Sequence, residues 1–289
     1  MIDTFVIFYK TSNYNTKDVL SLPGGIRELT RKDFDGNLRL CVKPSLFIKK
    51  YSSTESSNNK VLCNLKETLL VKDYFDKKIG EIGELRRVDF AYDTEIHFNE
   101  NQKLNKFFIS MLLASRNSSL NKIFSTNTNN TSLNMKIKNK TMEFSIYNCN
   151  DKDRLGNTRY EQRFTSLRGL DNFQNKILKS LNKYDKELCD LTSTIPVIET
   201  YFSELIYNEY QMSKNKYKNL HEFIAKMDAS NFILTKNIFK QFFEKISDGN
   251  VDFYIKNFRR KRKDALKFIT KLEMETLIKK IRIAIDKTK

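Results

Sequence analysis

The spacing of apolar residues changes near residue 170 from a period of two to a period of three to four, and this change constrains the fold most. Before it, five segments alternate as strands do: 3–10, 37–44, 85–98, 134–148 and 158–166. Two helix patterns lie between them, at about 64–80 and at 104–112. This mixture predicts an α+β domain, a mainly antiparallel sheet with its helices on one face. Polar segments at 52–60 and 125–133 are predicted loops.

Beyond residue 170 the apolar residues form one-sided helical stripes. They lie at 173–188, 198–206, 220–227, 238–246 and 274–285, with Pro196 near the start of the second and Thr235 as a predicted N-cap of the fourth. Such stripes are typical of a helical bundle core. The sequence therefore predicts two domains, an α+β domain at 1–169 and a basic all-α domain at 170–289 that binds DNA or a partner.

The charge of the chain favours a polyanionic partner. The formal net charge is +17, and each Lys or Arg that meets a phosphate releases counterions from nucleic acid. A Lys- and Asn-rich proteome would give the same bias without any such function. The densest basic run is Arg259, Arg260, Lys261, Arg262 and Lys263, which predicts a phosphate-contacting surface or, alternatively, a solvated helix face.

Cysteine spacing and hydropathy predict the cellular compartment of the protein. The four cysteines are scattered without paired spacing, which argues against a zinc ribbon or a disulfide framework and favours a reducing compartment. No apolar run of about 18 residues occurs, and the first ten residues lack the features of a secretory signal. We therefore expect a cytoplasmic protein without a membrane partner.

Several DNA-processing chemistries are excluded by what the sequence lacks. The chain has only two histidines, His97 and His221, so a His-hydrophobe-His metal site cannot be built. There is no phosphate-binding loop of the Walker type and no Gly-x-Gly-x-x-Gly, so an ATP-driven helicase is not expected. A helicase, if one is needed, would be a host partner.

The segment 85–95, LRRVDFAYDTE, concentrates charge on one side of a strand. Strand periodicity places Arg87, Asp89 and Asp93 on one face, and Val88 and Phe90 on the other. The apolar face suits packing under helices. Carboxylates spaced in this way suit Mg²⁺ or Mn²⁺, although an ordinary solvent-exposed face has the same pattern.

The segment 144–164 reads as a hairpin whose strands alternate in the same way. A turn centred near residue 153 would pair Glu143 with Arg163, Ser145 with Glu161, and Tyr147 with Arg159. If the strand at 85–95 lies alongside, Asp89 and Glu161 converge beside Tyr147. The candidate catalytic residues are Tyr147, Arg87, Arg159 and Arg163, and the candidate metal ligands are Asp89, Asp93 and Glu161.

Such a constellation suits phosphoryl transfer to a tyrosine. The ordinary pKa of tyrosine is about 10, and a nearby cation and metal ion would favour the phenolate. Attack on DNA would release a 3′-hydroxyl and leave a 5′-phosphotyrosine, which keeps the bond energy for rejoining. From the sequence no residue can be named as the proton acceptor.

The chain resembles the filamentous-phage gene II type of replication initiators, which are related to the rolling-circle Rep proteins of small Gram-positive plasmids. The resemblance covers about residues 1–170 and lies in MIDTFVIFYK, RVDFAYD, FSIY and RYEQRF, in that order. It implies a site-specific DNA nickase that uses a tyrosine and a divalent metal, with Tyr147 as nucleophile and Asp89 and Glu161 as metal-site acids.

One position departs from the family pattern. Family members usually have a lysine two residues after the tyrosine, where this chain has Cys149. Either Lys152, Arg159 or Arg163 supplies that cation, or Tyr147 is not the equivalent residue. The alternative function is a DNA-binding initiator or structural protein without cleavage activity, whose charged sheet face only contacts phosphates.

Overall fold

A computed structural model describes most of the chain. The described residues are 1–10, 26–30, 37–51, 62–117, 120, 135–138, 141–149, 157–165, 167, 172–213, 215–246, 250–261 and 266–289. Within them the chain forms seven β-strands and nine α-helices. None of these helices has both the length and the apolar content needed to cross a membrane.

The seven strands form one sheet in the order β2-β3-β1-β4-β7-β6-β5. Pairing is antiparallel between β1 and β3, β1 and β4, β2 and β3, and β6 and β7. The strands are β1 (Ile2–Tyr9), β2 (Ile26–Thr30), β3 (Leu38–Val42), β4 (Glu84–His97), β5 (Met135–Lys138), β6 (Met142–Asn148) and β7 (Asn157–Thr165). Strands β4, β7 and β6 are therefore neighbours in the middle and far half of the sheet.

The helices are α1 (Pro44–Tyr51), α2 (Leu65–Ile79), α3 (Gln102–Ser115), α4 (Phe173–Cys189), α5 (Ile195–Ser213), α6 (Leu220–Ala229), α7 (Lys236–Ile246), α8 (Val251–Lys261) and α9 (Lys271–Asp286). Local sequence explains several of their ends. Asn64 and Glu67 form a capping box at the start of α2, and Gly80 ends that helix at a φ of 77°, where a residue without Cβ is favoured. Thr235 accepts from the Ile238 N–H before α7 at 3.2 Å, as its predicted N-cap role requires.

The described chain divides into two compact units, each built from separated segments. The sheet unit comprises Met1–Glu95, Lys136–Lys186 and Lys280–Lys289, and the helical unit comprises Ile96–Met135 and Glu187–Lys279. The sequence predicted one continuous boundary at residue 170. In the structure α3 belongs to the helical unit, where it is buried on more than one side, and not to the sheet.

One face of the sheet is apolar, and the opposite face is polar. Val88 and Phe90 on β4, Phe144 on β6, and Tyr160 and Phe164 on β7 are all buried. The rings of Phe90 and Phe164 meet edge to face at 5.8 Å between centroids. Because successive side chains point to opposite faces, Asp89, Glu161 and Arg163, each next to one of these apolar residues in sequence, lie on the other face.

The predicted fold class is confirmed, and most strands lie within a residue or two of their predicted bounds. The segment predicted as one strand at 134–148 forms β5 and β6 instead. Strand β2 and helix α1 were not predicted, because with 5 and 8 residues they are too short to show a clear period. Helix α8 was not predicted either, although its 11 residues equal those of α7. The predicted loops at 52–60 and 125–133 both lie outside the described residues.

Candidate active site

The hairpin of β6 and β7 has the predicted register. Glu143 pairs with Arg163, Ser145 with Glu161, and Tyr147 with Arg159. Alternation and one inferred turn position were sufficient to find this register, because a shift by one residue would move every apolar side chain to the polar face. The predicted adjacency of the third strand is also observed, since β4 lies next to β7.

Tyr147 lies against a carboxylate on the neighbouring strand. Its hydroxyl donates a hydrogen bond to Glu161 Oε2 at 2.6 Å. The tyrosine is half-buried, whereas Glu161 is buried. This contact gives the tyrosine a proton acceptor, which the sequence alone had not provided.

Arg163 joins the three strands of the site. It donates to the second oxygen of Glu161 at 3.0 Å, to Asp89 Oδ1 at 3.1 Å and to Glu143 Oε1 at 3.1 Å. Asp89 also accepts from Arg87 Nε at 2.8 Å. Arg163 and Arg87 keep 24% and 22% of their side-chain surface exposed, so both guanidinium groups remain accessible from one side.

Arg159 is enclosed by two other carboxylates. It holds both oxygens of Asp93, from Nε at 2.6 Å and from Nη2 at 2.8 Å, and it donates to Asp3 at 3.1 Å. Lys43 approaches the same Asp3 oxygen at 3.7 Å. Because the Arg159 side chain is only 5% exposed, its charge acts through the protein interior and not by direct contact with solvent.

The described side chains of this cluster carry one more acid than base. The acids are Asp3, Asp89, Asp93, Glu143 and Glu161, and the bases are Lys43, Arg87, Arg159 and Arg163. The pKa of Glu161 is raised, mainly by burial and then by the negative charge of Asp89. The hydrogen bond from Tyr147 lowers this pKa but does not outweigh the other two effects.

The surroundings of Tyr147 raise its pKa. Burial is the main cause and the charge of Glu161 is the second, and together they outweigh the lowering effect of Arg159. The tyrosine is therefore protonated at rest. The phenolate predicted from the sequence needs a metal ion in addition to a nearby cation. A reaction at this residue has to remove the proton when the substrate is bound, and Glu161 is placed to accept it.

A metal ion would have two carboxylates at this site. Asp89 and Glu161 interact strongly enough to shift the Glu161 pKa, and Mg²⁺ in phosphate chemistry is typically held by one or two carboxylates together with substrate oxygens. Among the described residues no group of three or more ligating side chains comes together. Both oxygens of Asp93, the third predicted ligand, bind Arg159. The oxygens of Asp89 bind Arg87 and Arg163, and those of Glu161 bind Tyr147 and Arg163, so an ion at any of the three would have to displace a present partner.

Cys149 does not share the accessible position of Tyr147. Its side chain is buried with 2% exposure, and its backbone N–H bonds to Asn157 O at 2.7 Å at the end of the hairpin ladder. Arg159, the cross-strand partner of Tyr147, has the charge that lowers the tyrosine pKa. Of the three cations considered for the missing lysine, Arg159 therefore acts on Tyr147, while Lys152 lies outside the described residues.

Three members of the cluster were not singled out from the sequence. Glu143 was recognised only as a partner of Arg163, and Asp3 and Lys43 were not considered. Asp3 lies at an irregularity in the pairing of β1 with β4, between Ile2 and Thr4, and such a bulge breaks the simple alternation that would have placed it. Lys43 falls within the predicted strand 37–44, but in the structure it lies between the end of β3 and the start of α1.

The predicted basic run is described only in part. Arg259 and Arg260 are exposed residues of α8, and Lys261 ends that helix. Arg262 and Lys263 lie outside the described residues. Arg259 donates to Leu266 O at 3.2 Å and lies 5.5 Å from the ring centre of Phe268, so it is held against its own unit.

Comparison of the chain with protein-family models, with characterised proteins and with solved structures finds no match in any of the three. The resemblance to the replication initiators therefore stays a prediction carried by the four short motifs. A function for this chain has to be inferred from those motifs and from the contacts of Tyr147.

Proposed function

We propose that the sheet unit cleaves one strand of DNA by attack of Tyr147 on a backbone phosphate, as a rolling-circle replication initiator does. The observation that carries the proposal is the 2.6 Å hydrogen bond from the Tyr147 hydroxyl to Glu161. A nucleophile with an adjacent base that is itself oriented by a third group is the usual arrangement for covalent catalysis. Here the third group is Arg163.

Glu161 acts as the general base in this proposal. Because the tyrosine pKa is raised, the phenol keeps its proton until the phosphate is in place. The Tyr147 oxygen then bonds to phosphorus while its proton passes to Glu161. The bond from phosphorus to the 3′-oxygen breaks, and that oxygen takes up a proton to become the 3′-hydroxyl. The downstream strand stays on the protein as a 5′-phosphotyrosine, and the reverse reaction rejoins the ends.

Arg87 and Arg163 are the residues that would hold the phosphate. They are the part-exposed guanidinium groups of the cluster, and a guanidinium forms strong paired hydrogen bonds to phosphate oxygens. Arg159 is enclosed and acts at a distance by favouring negative charge on the tyrosine oxygen. Arg87 and Arg163 are therefore the arginines that would contact the phosphate, whereas Arg159 is a positioning residue.

The proposal includes a divalent ion, Mg²⁺ or Mn²⁺, held by Asp89 and Glu161. Such an ion supplies Lewis-acid polarisation of the phosphate. Carboxylate oxygens are the donors that such an ion prefers. An ion held by Asp89 and Glu161 would replace Arg163, which now bonds to Asp89 at 3.1 Å and to Glu161 at 3.0 Å.

In the cell we infer a cytoplasmic initiator of a phage, plasmid or integrated element, acting on an origin with a host helicase. The net charge of +17 supports a DNA partner, and the free 3′-hydroxyl would serve as a primer. The opposing function is a DNA-binding protein that does not cleave.

The position of a label tests the proposal directly. The protein is incubated with Mn²⁺ and single-stranded oligonucleotides that have a randomised central segment, labelled at either the 3′ or the 5′ end. We expect a denaturant-resistant protein–DNA adduct that carries the 3′ label and not the 5′ label. Tyr147→Phe should abolish it.

Tyr92→Phe is the matched control, because Tyr92 lies on β4 and packs its ring 6.3 Å from that of Tyr160 on the apolar face. It should form the adduct normally. Binding without any adduct in the wild type would favour the non-cleaving function, and an adduct in Tyr147→Phe would show that the nucleophile is another residue.

A further inference from the structure

Helix α8 exposes a phenylalanine that the sheet-site function does not use. Phe253 is 60% exposed, although most described phenylalanines of the chain are buried. The rotation of the helix is fixed on its other side by Ile255 and Phe258, which are 6% and 5% exposed. Phe253 is therefore held on the outer face by the packing of its own helix.

The exposed ring is also supported from beneath. It meets Tyr254 edge to face at 5.9 Å, and Tyr254 packs on Phe243 of α7 at 4.7 Å. Phe243, Tyr254 and Phe253 thus form a row of aromatic rings that runs from the core of the helical unit to its surface. A supported flat ring is a suitable surface for stacking, because less side-chain freedom is lost on binding.

Two cations share the outer face with this ring. Lys256 and Arg260 are exposed and follow Phe253 at spacings of three and seven residues, which places all three along one side of the helix. The rise of about 1.5 Å per residue spreads them over about 10 Å. Among the described residues no carboxylate forms an ion pair with Lys256 or Arg260.

The nearest acid of the helix is neutralised by its neighbour. Asp252 pairs with Lys236 of α7 at 2.9 Å. The face beyond Phe253 is therefore cationic, and an aromatic ring beside cations is the arrangement that binds single-stranded nucleic acids, with bases on the ring and phosphates on the cations.

We propose that the Phe253, Lys256 and Arg260 face of α8 binds single-stranded DNA, with one base stacked on Phe253. The choice of DNA as the occupant rests on the proposed function, whereas the stacking geometry does not. Charge complementarity selects a polyanion over an apolar protein surface. This face belongs to the helical unit, and Tyr147 belongs to the sheet unit.

The absence of tryptophan from the chain provides a direct reporter. Phe253→Trp places a single indole at the proposed stacking position, and oligothymidylate is the probe. We expect its fluorescence to be strongly quenched on binding, since a stacked base quenches indole emission.

Val197→Trp is the matched control, because Val197 is 59% exposed on α5 and is followed on its face by Thr200, Tyr201 and Glu204. Its emission should stay nearly unchanged. Equal quenching of both variants, or of neither, would overturn the proposal.

Affinity measurements with a labelled oligothymidylate supply a second readout. Phe253→Ala should weaken binding by about fivefold or more, while Phe253→Tyr should keep it. Lys256→Gln and Arg260→Gln should each reduce the slope of log affinity against log salt by about 1. Unchanged affinity in Phe253→Ala, or wild-type self-association that this variant abolishes, would contradict DNA stacking and indicate a protein contact.

The two proposals fail separately. If the wild type forms no covalent adduct, the cleavage proposal is overturned, but the quenching expected for Phe253→Trp is unaffected. Absence of quenching with a normal adduct would overturn the α8 site alone.

Discussion

Arg159 offers the sharpest test of how the charged face is held together. Arg159→Met keeps much of the length of the side chain but removes three hydrogen bonds, two to Asp93 and one to Asp3. Asp3 keeps its bond from Thr4 at 2.8 Å and the nearby Lys43. Asp93 loses the guanidinium that held both its oxygens while its side chain remains only 5% exposed.

The expected loss follows from that burial. Removing one partner of a buried ion pair costs about 3–5 kcal/mol, because the remaining charge stays desolvated. The matched control is Arg86→Met on the neighbouring strand β4. The ion pair of Arg86 with Glu84 is 28% and 32% exposed, and its guanidinium lies 5.1 Å from the Phe8 ring centre. There we expect a loss of about 1 kcal/mol.

Unfolding in urea is monitored by the hydrogen exchange of peptides from β4 and β7. The measurement then reports on the stability of the sheet unit and not on that of the helices. The double variant Arg159→Met with Asp93→Leu should recover most of the stability, since replacing both partners of a buried pair by apolar groups is often close to neutral. A loss no larger than that of Arg86→Met, or a double variant no more stable than the single one, would refute the reasoning.

Two further predictions concern the chemistry. Glu161→Gln should slow adduct formation by about 10²–10⁴-fold with oligonucleotide binding retained, because a glutamine side chain cannot accept the tyrosine proton; a rate within about threefold of wild type would remove Glu161 as the base. Cys149→Lys should lower the thermal midpoint and leave the adduct rate no higher, because this position is buried; a faster rate would show that the missing lysine, and not Arg159, limits reactivity.

The sequence was sufficient for those parts of the site that follow from a period of two. The register of Glu143, Ser145 and Tyr147 against β7 needed only alternation and one turn position, and the apolar face of β4 fixed which of its residues are polar neighbours. The predicted α+β class followed from the same alternation and from the helical stripes beyond it.

The features that the sequence could not predict depend on burial and on contacts across the sheet. The direction of the Tyr147 pKa shift required knowing that burial and Glu161 outweigh Arg159. The pairing of Asp93 with Arg159 required the observed position of β4 beside β7. The bulge in β1 breaks the alternation that would have placed Asp3 on the charged face. Helix α3 lies in the helical unit, because both of its sides are apolar enough to be buried.

The central claim is that Tyr147 is the nucleophile, and the most direct measurement is the mass of the modified peptide. After the adduct has formed with single-stranded DNA and Mn²⁺, nuclease and protease digestion leaves a nucleotide on one peptide. We predict a nucleotide attached through a 5′-phosphate to Tyr147. Attachment to Tyr92, Tyr160 or any other residue, or the absence of a modified peptide under conditions in which DNA is bound, would contradict the account.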